Sequence, residues 1–264
     1  MSFKNKRIIL TGATGGLGTH IARMLLDAGA KLLLAGTNEE AADELRKRCD
    51  IERTVICIAD ITDAASRDRI VKVAEDSFQG IDMLINNAGI NPFGSFVEQD
   101  PALIQKTMEV NMLAPMMLTH AVLPIMQKQN RGQIVNIGST FGSIAFAWFT
   151  AYSASKFALR GFSQGLRREL ADTGIDVTYI APRGIKTKLN SAAVYEMAKV
   201  IKMNMDEPVD VADQIIDAIR QRKKECYIGF PESLFVRVNA LMPGLVDVSL
   251  KNQNQAARPY ALKE

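Results

Sequence analysis

The chain has 264 residues, 47% of them hydrophobic, and a formal net charge of +3, which suffices for one large core. The basic residues are spread along the chain rather than gathered on one face, so a nucleic-acid partner is not expected. Cys49, Cys57 and Cys226 show no disulfide-framework or zinc spacing, and with only His20 and His120 neither a metal centre nor a Ser-His-Asp triad is expected.

In chain order, the polar and basic start at residues 2–7 has no signal-peptide pattern. No apolar run reaches the roughly 18 residues that cross a membrane, so the expected setting is cytoplasmic. Residues 7–10, 31–35, 54–58, 83–86, 133–138 and 176–181 read as strands. Their near-continuous Ile, Val and Leu content predicts burial on both faces of a parallel sheet. Between the first two, Leu17, Ile21, Met24, Leu25 and Ala28 form one apolar helical stripe. Long helices are predicted over 100–128 and 151–172. This alternation predicts an α/β, Rossmann-like doubly wound parallel sheet in a single domain, 1–264, with ligands at the carboxyl ends of the strands.

The rhythm changes near the end, where a short strand at 226–229 precedes an apolar, helix-like tail at about 231–250. Leu234, Val238, Leu241, Leu245 and Val248 share one helix face, widened by Phe235, Met242 and Val246, and Pro243-Gly244 should kink or split it. So wide an apolar face is expected to be covered. Its polar side carries only Arg237, Asn239 and Asp247, which favours a pocket cover or dimer contact over a membrane surface.

The chemistry-bearing residues follow the strand ends. Thr11-Gly12-Ala13-Thr14-Gly15-Gly16-Leu17-Gly18 lies between the first strand and the first helix. Glycines there let a backbone approach a pyrophosphate at a helix N-terminus, although a ligand-free glycine turn has the same appearance. Gly12, Gly16 and Gly18 fit one spacing of the motif; Gly12, Gly15 and Gly18 fit another. At the end of the second strand stands Thr37, with no carboxylate before Glu39. An acid at that point would repel a 2′-phosphate, so its absence favours NADP(H) over NAD(H). Asp60 either bonds an adenine amino group or caps the next helix. Asn86-Asn87-Ala88-Gly89 reads as a plain turn or as a small-residue approach for a cofactor.

Asn111 lies inside a predicted helix, as a buried polar residue or the holder of a water. Ser139 ends the fifth strand, either as a turn serine or as a hydroxyl reaching the same oxygen as Tyr152, with Thr140 and Ser143 as competitors for that place. Tyr152 and Lys156 stand at i and i+4 on one helix face, where an ammonium would draw down a phenol pKa and fit the tyrosine for proton exchange. Such a pair is also common as a plain amphipathic contact.

Taken together, these residues resemble the short-chain dehydrogenase/reductase family, in its one-domain branch, from about Lys6 to Gly229. The resemblance rests on the glycine loop, Asp60, Asn86-Asn87-Ala88-Gly89, Asn111, Ser139, Tyr152-Ser153-Ala154-Ser155-Lys156, and Pro182 with Thr187. It implies hydride transfer between a nicotinamide and a carbonyl or secondary alcohol. Tyr152 would be the acid/base, Ser139 the hydrogen-bond partner of the substrate oxygen, and Lys156 the ligand of the nicotinamide ribose. Asn111 would support a water. Gly12, Thr14, Gly16, Leu17, Gly18, Thr37, Asp60, Asn87, Ala88, Gly89, Ile185 and Thr187 would line the cofactor with Tyr152 and Lys156. One departure is that the family's Pro-Gly becomes Pro182-Arg183-Gly184. Another is the tail, unlike the glycine-rich end of typical bacterial 3-oxoacyl reductases. It points to a homodimer through the helices around Asn111 and Tyr152 rather than a tetramer.

The segment 141–149 holds Phe141, Phe146, Trp148 and Phe149, and 189–205 is rich in Met and Ala where the family keeps a substrate lid. An apolar carbonyl or alcohol is therefore expected as substrate: an oxoacyl chain, a steroid-like compound or another lipid ketone. The rival readings are a dinucleotide-binding sensor without turnover and a membrane-associated scaffold.

Overall fold

The computed structural model describes residues 1–48 and 52–262; Cys49 lies outside them. The chain runs β1 (Arg7–Thr11), α1 (Gly16–Asp27), β2 (Lys31–Gly36), α2 (Glu39–Arg48), β3 (Thr54–Ile58), α3 (Ala64–Phe78) and β4 (Met83–Asn86). It continues through α4 (Pro101–Met108), a π-helical turn (Glu109–Leu113), α5 (Ala114–Gln129), β5 (Gly132–Ile137), α6 (Thr150–Glu169) and β6 (Ile175–Pro182). A two-stranded clamp, β7 (Gly184–Ile185) and β8 (Met205–Asp206), brackets α7 (Ala192–Val200). Then come α8 (Pro208–Arg220), β9 (Glu225–Ile228), α9 (Glu232–Leu241) and α10 (Pro243–Ala261).

Among the described residues, seven strands form one parallel sheet in the order β3-β2-β1-β4-β5-β6-β9. The apolar runs divide by strand parity. Ile8, Leu10, Leu32 and Leu34 pack beneath α1 and α8, while Ile9, Leu33 and Ala35 pack against α3, α5 and α6. Both faces are therefore covered, as continuous Ile/Val/Leu strands require. β1 is paired with β2 on one side and β4 on the other, so the chain reverses its winding beside β1, and open parallel sheets hold their ligand crevice at such a switch point.

Two expectations need correction. The predicted helix 100–128 is not one α-helix: α4 gives way to the π turn at Glu109–Leu113, and α5 follows. One extra residue per turn carries Asn111 into the interior, fully buried, and such turns recur at functional sites. The tail is split before Pro243 as expected, but it runs to Ala261 and rests on a different face. Val236, Val246, Ala257 and Ala261 are buried, whereas Leu234, Leu241, Leu245 and Val248 face outward. Burial is set by where the two helices land, and splitting at Pro243 broke the continuous stripe that spacing alone described.

A third apolar cluster lies beyond the sheet's carboxyl edge. Phe146, Phe149 and Tyr152 meet Val194, Met197 and Ile201 of the α7 region and Ala257 of α10. No described helix is long and apolar enough to cross a membrane.

Candidate active site

The dinucleotide half of the site is built from backbone. Gly12 takes φ +63°, a left-handed conformation that suits glycine, and a Cβ there would come within 2.8 Å of the Ala88 Cα. The glycine loop is thereby pressed onto the turn after β4. Asn87 Nδ2 donates to the Thr11 and Gly12 carbonyls, both at 3.1 Å, and the Thr11 hydroxyl accepts from the Asn87 and Ala88 amides at 3.1 and 3.2 Å. Asn86 ties β4 to β5, donating to Asn136 Oδ1 at 2.8 Å. No side chain caps α1 at Gly15, and no acid lies in its first turn. That bare helix end, with positive dipole and glycines at its mouth, fits a pyrophosphate.

At the adenosine end, Thr14 packs on Gly36 and Thr37 is exposed on the cleft wall. Asn38 turns away, its Oδ1 accepting from the Ala41 amide at 2.9 Å to start α2. Asp60 does not cap α3; Asp63 does, accepting from the Ser66 amide at 2.8 Å. The Asp60 carboxylate instead accepts from the Thr62 amide and hydroxyl and pairs with Lys106 at 3.3 Å, and the Thr62 amide bond is the largest influence holding its pKa down.

The reacting half stands at the ends of β5 and α6. Ser139 follows β5, its Oγ accepting from the Phe141 amide at 3.1 Å. Tyr152 and Lys156 are 9% and 4% exposed, and the ammonium lies 5.8 Å from the phenol ring centroid. Lys156 Nζ donates to the Ile137 carbonyl at 3.1 Å. Burial pushes the phenol up to about 12, with a hydrogen bond to Ser139 pulling the other way. Burial also brings the ammonium down to about 8. The expectation that the lysine charge dominates the phenol is therefore reversed in this structure: desolvation is the larger effect.

Asn111 is held from both ends of its amide. Its Oδ1 accepts from the Ile90 N–H at 2.8 Å, and its Nδ2 donates to the Ile90 carbonyl at 2.9 Å and Ser155 Oγ at 3.0 Å. A Cβ on Gly89 would sit 3.2 Å from Asn111 Oδ1 and 3.6 Å from Lys156 Nζ, so glycine keeps the space between those two groups open.

One cleft of about 570 Å³ gathers these positions. Gly12, Thr14, Gly16, Leu17, Gly18, Thr37, Asp60, Asn87, Ala88, Gly89, Ser139, Tyr152, Lys156, Ile185 and Thr187 all line it. Asn111 stands behind the wall. Thr187 faces Gly16, with its methyl 3.1 Å from where a Gly16 Cβ would be, so the segment after β7 closes over the glycine loop. Asp60 is the single carboxylate among the described lining residues and is paired with Lys106, which leaves Lys156 and Lys188, since the Arg183 guanidinium is paired with Asp206 and Glu232. That balance also suits a phosphorylated ligand.

Sequence reasoning missed four supports of this site. Tyr179 of β6 is fully buried behind Ser139, its hydroxyl donating to the Ser139 carbonyl at 3.3 Å. A tyrosine in the middle of a buried strand was the available signal, because its hydroxyl must find a partner. Asn91 and Asn190 join the turn after β4 to the base of the lid, Nδ2 to Oδ1 at 3.2 Å, with no signal in spacing. Arg183 is the fourth.

The tail also ties into the site's loops. Asn239 donates to the Ser143 carbonyl at 2.9 Å, Trp148 Nε1 to the Asn254 carbonyl at 3.1 Å, and the Ser95 amide to the Ala261 carbonyl at 3.0 Å.

Residues 6–198 match the short chain dehydrogenase family. A dehydrogenase/reductase SDR family member 7B from Bos taurus is 35% identical over 257 residues, covering 92% of this chain and 79% of the relative. Among solved structures, a short-chain dehydrogenase from Streptomyces avermitilis superposes with TM-score 0.81 at 27% identity, covering 97% of this chain and 99% of its own. A short chain dehydrogenase from Burkholderia cenocepacia, solved in complex with NADP, gives TM-score 0.81 at 26% identity, covering 95% and 99%.

Proposed function

The chain belongs to the short-chain dehydrogenase/reductase family and is an NAD(P)-dependent oxidoreductase; from that premise we propose that it interconverts an apolar ketone and its secondary alcohol, using NADP(H). The observation that carries this reading is the position of Tyr152. It stands on the wall of the dinucleotide cleft and, at the same time, inside the third apolar cluster.

The nicotinamide cofactor supplies or accepts the hydride. Tyr152, protonated near neutral pH with its phenol pushed up to about 12, hands its proton to the forming alkoxide in the reducing direction. Ser139, on the same cleft wall as that phenol, holds the substrate oxygen beside it. Lys156, brought down to about 8 and anchored on Ile137, would bind the nicotinamide ribose and help return a proton to the Tyr152 phenolate, resupplied from the Asn111 side through the space that Gly89 leaves.

The apolar substrate is supported by Phe141, Phe149, Leu189, Val194, Met203 and Met205, which line the same cleft. NADP(H) is supported by the absence of a carboxylate between Gly36 and Asn38. A dimer is supported by exposed Leu113, Met117 and Phe157 on the π turn, α5 and α6. The cysteine usage supports a cytoplasmic setting.

The test is a panel of oxoacyl, steroid-like, short-chain and sugar carbonyls with each reduced cofactor, following loss of reduced nicotinamide. Turnover of the bulky apolar ketones with NADPH is expected. Turnover confined to sugars, or to NADH, overturns the corresponding part of the proposal.

A further inference from the structure

Arg183 stands where the family resemblance leads one to expect glycine, immediately after β6, and the structure builds a seat for it. A Cβ on Gly229 would lie 2.5 Å from the Arg183 Cδ, and Gly229 holds φ +105°, so the aliphatic stem crosses a slot that another residue would close. The guanidinium then makes a two-pronged contact with Asp206 of β8, Nε to Oδ2 at 2.9 Å and NH2 to Oδ1 at 2.7 Å. Its remaining NH1 donates to Glu232 Oε2 and to the Phe230 carbonyl, both at 2.8 Å. The other Glu232 oxygen accepts from Asn204 Nδ2 at 2.8 Å. The Arg183, Asp206 and Glu232 side chains are 17%, 21% and 25% exposed, so the network is largely withdrawn from water, where planar two-pronged pairing is strongest.

Three segments distant in sequence meet on this one side chain: the end of β6, the return of the lid at 204–206, and the first turn of the tail. The lid's two ends already run parallel, with Ile185 opposite Asp206 and the Lys186 amide donating to the Asp206 carbonyl at 3.0 Å. Arg183 fixes the β8 end of that clamp to α9. The β7 end carries Ile185 and Thr187 into the cofactor cleft. We propose that Arg183 is a positioning residue that makes the C-terminal tail part of the lid's hinge, holding the β7–β8 clamp so that Ile185 and Thr187 face the cofactor. The proposal rests on the cofactor reading of those two residues.

Four variants test it: Arg183→Met, Arg183→Lys, Asp206→Asn and Glu232→Gln. Each is measured for NADPH dissociation constant, KM, kcat and amide hydrogen exchange across 184–206. Losing a two-pronged anchor beside a binding surface should weaken NADPH binding about tenfold in Arg183→Met, with kcat at saturation within about twofold. Exchange should quicken at 184–206 and not in β1 or β4. Arg183→Lys, keeping the charge without the fork, should recover only part of the affinity. Glu232→Gln loosens only the tail link and should weaken NADPH binding about threefold, less than Arg183→Met, with exchange quickened at 184–206.

Wild-type NADPH affinity together with wild-type exchange at 184–206 in Arg183→Met overturns the proposal. So does exchange that quickens evenly across the sheet, which marks a general stability staple. If Arg183→Met does not fold, Arg183→Lys and Glu232→Gln carry the same readouts. Should the unaltered protein bind no NADPH, the cofactor reading fails, whereas exchange at the clamp still reports on the hinge.

Discussion

On the β1–β2–β3 side, the wall of the cleft is backbone: Gly12 against Ala88, Thr14 over Gly36, and an uncapped helix N-terminus. On the β5–β6–β9 side it is side chains on loops, with Phe141 and Phe149 in the β5–α6 connection, Val194 on the lid, and the tail behind them. The first wall is set by strand register and glycine sterics, and it suits a ligand whose pyrophosphate is always the same. The second is set by how loops are tied to one another, and it can be re-shaped without disturbing the sheet. Changes on the backbone side or at its junction with α6 should therefore affect every substrate alike, whereas changes in the loops and tail should discriminate between substrates.

The largest expected effect is at the junction. Tyr152→Phe keeps the ring within its aromatic cluster and removes only the hydroxyl, so turnover should fall about a hundredfold or more with every ketone while NADPH affinity holds. Single-turnover rates measured with small and large ketones check this. A loss seen with only one of them would move Tyr152 from the chemistry to the substrate wall.

Lys156 gives the next effect, in stability. Its ammonium is brought down from 10.5 to about 8 by burial, so between those values the unfolded chain binds more protons than the folded one. Stability from this group therefore rises with pH across that window, and below it the burial cost stands in full, about 3 kcal/mol. Lys156→Met should raise the Tm at pH 7 and raise it less at pH 10, while turnover is lost. A variant no more stable than the parent at pH 7 would show that the Ile137 contact offsets the desolvation.

The two walls also differ in how far the sequence disclosed them. Strand alternation, the glycine run and the i, i+4 pair of Tyr152 and Lys156 are local patterns, so the sheet and the line of the cleft could be drawn from spacing. The π turn at Asn111 could not, because one extra residue inside a helix leaves no mark in an apolar stripe. Nor could the tail. Its outward Leu241, Leu245 and Val248 follow helical spacing, while its hydrogen bonds to the site's loops run through the Asn239 and Glu232 side chains and the Asn254 carbonyl, whose partners lie 96, 49 and 106 residues away. Arg183 was visible only as a departure from a pattern; its seat on Gly229 required the fold.

Thr37 tests the backbone wall with a smaller change. It is exposed at the adenosine end, and Thr37→Asp would set a carboxylate beside a 2′-phosphate. With partial screening, that repulsion should shift the NADPH:NADH preference toward NADH about five- to tenfold, equally for all ketones. Titration of both cofactors against parent and variant is the measurement. A parent that already prefers NADH sinks the idea and shifts attention to backbone donors after Gly36.

The smallest expected effect lies in the tail and bears most directly on the contrast. Removing the whole tail would strip Leu250, Ala257 and Tyr260 from the third cluster and mix folding with specificity. Asn239→Ala removes a single amide instead. Its partner, the Ser143 carbonyl, sits in the loop that carries Phe141 and Phe149, and Ser143 is held from the other side by the Tyr227 hydroxyl at 3.0 Å. One neutral hydrogen bond is worth about 1 kcal/mol net, so the loop should loosen without unfolding. Because Phe141 and Phe149 line the proposed substrate end of the cleft and not the adenosine end, a bulky apolar ketone should lose contact and show a KM raised about threefold, part of that energy expressed in binding. A short-chain ketone that never reaches those rings should keep its KM, and both should keep their kcat. Parallel KM measurements on the two ketones decide the point: equal changes would place the tail among the general supports of the fold, and a change in kcat would show that the loop also sets the position of Ser139.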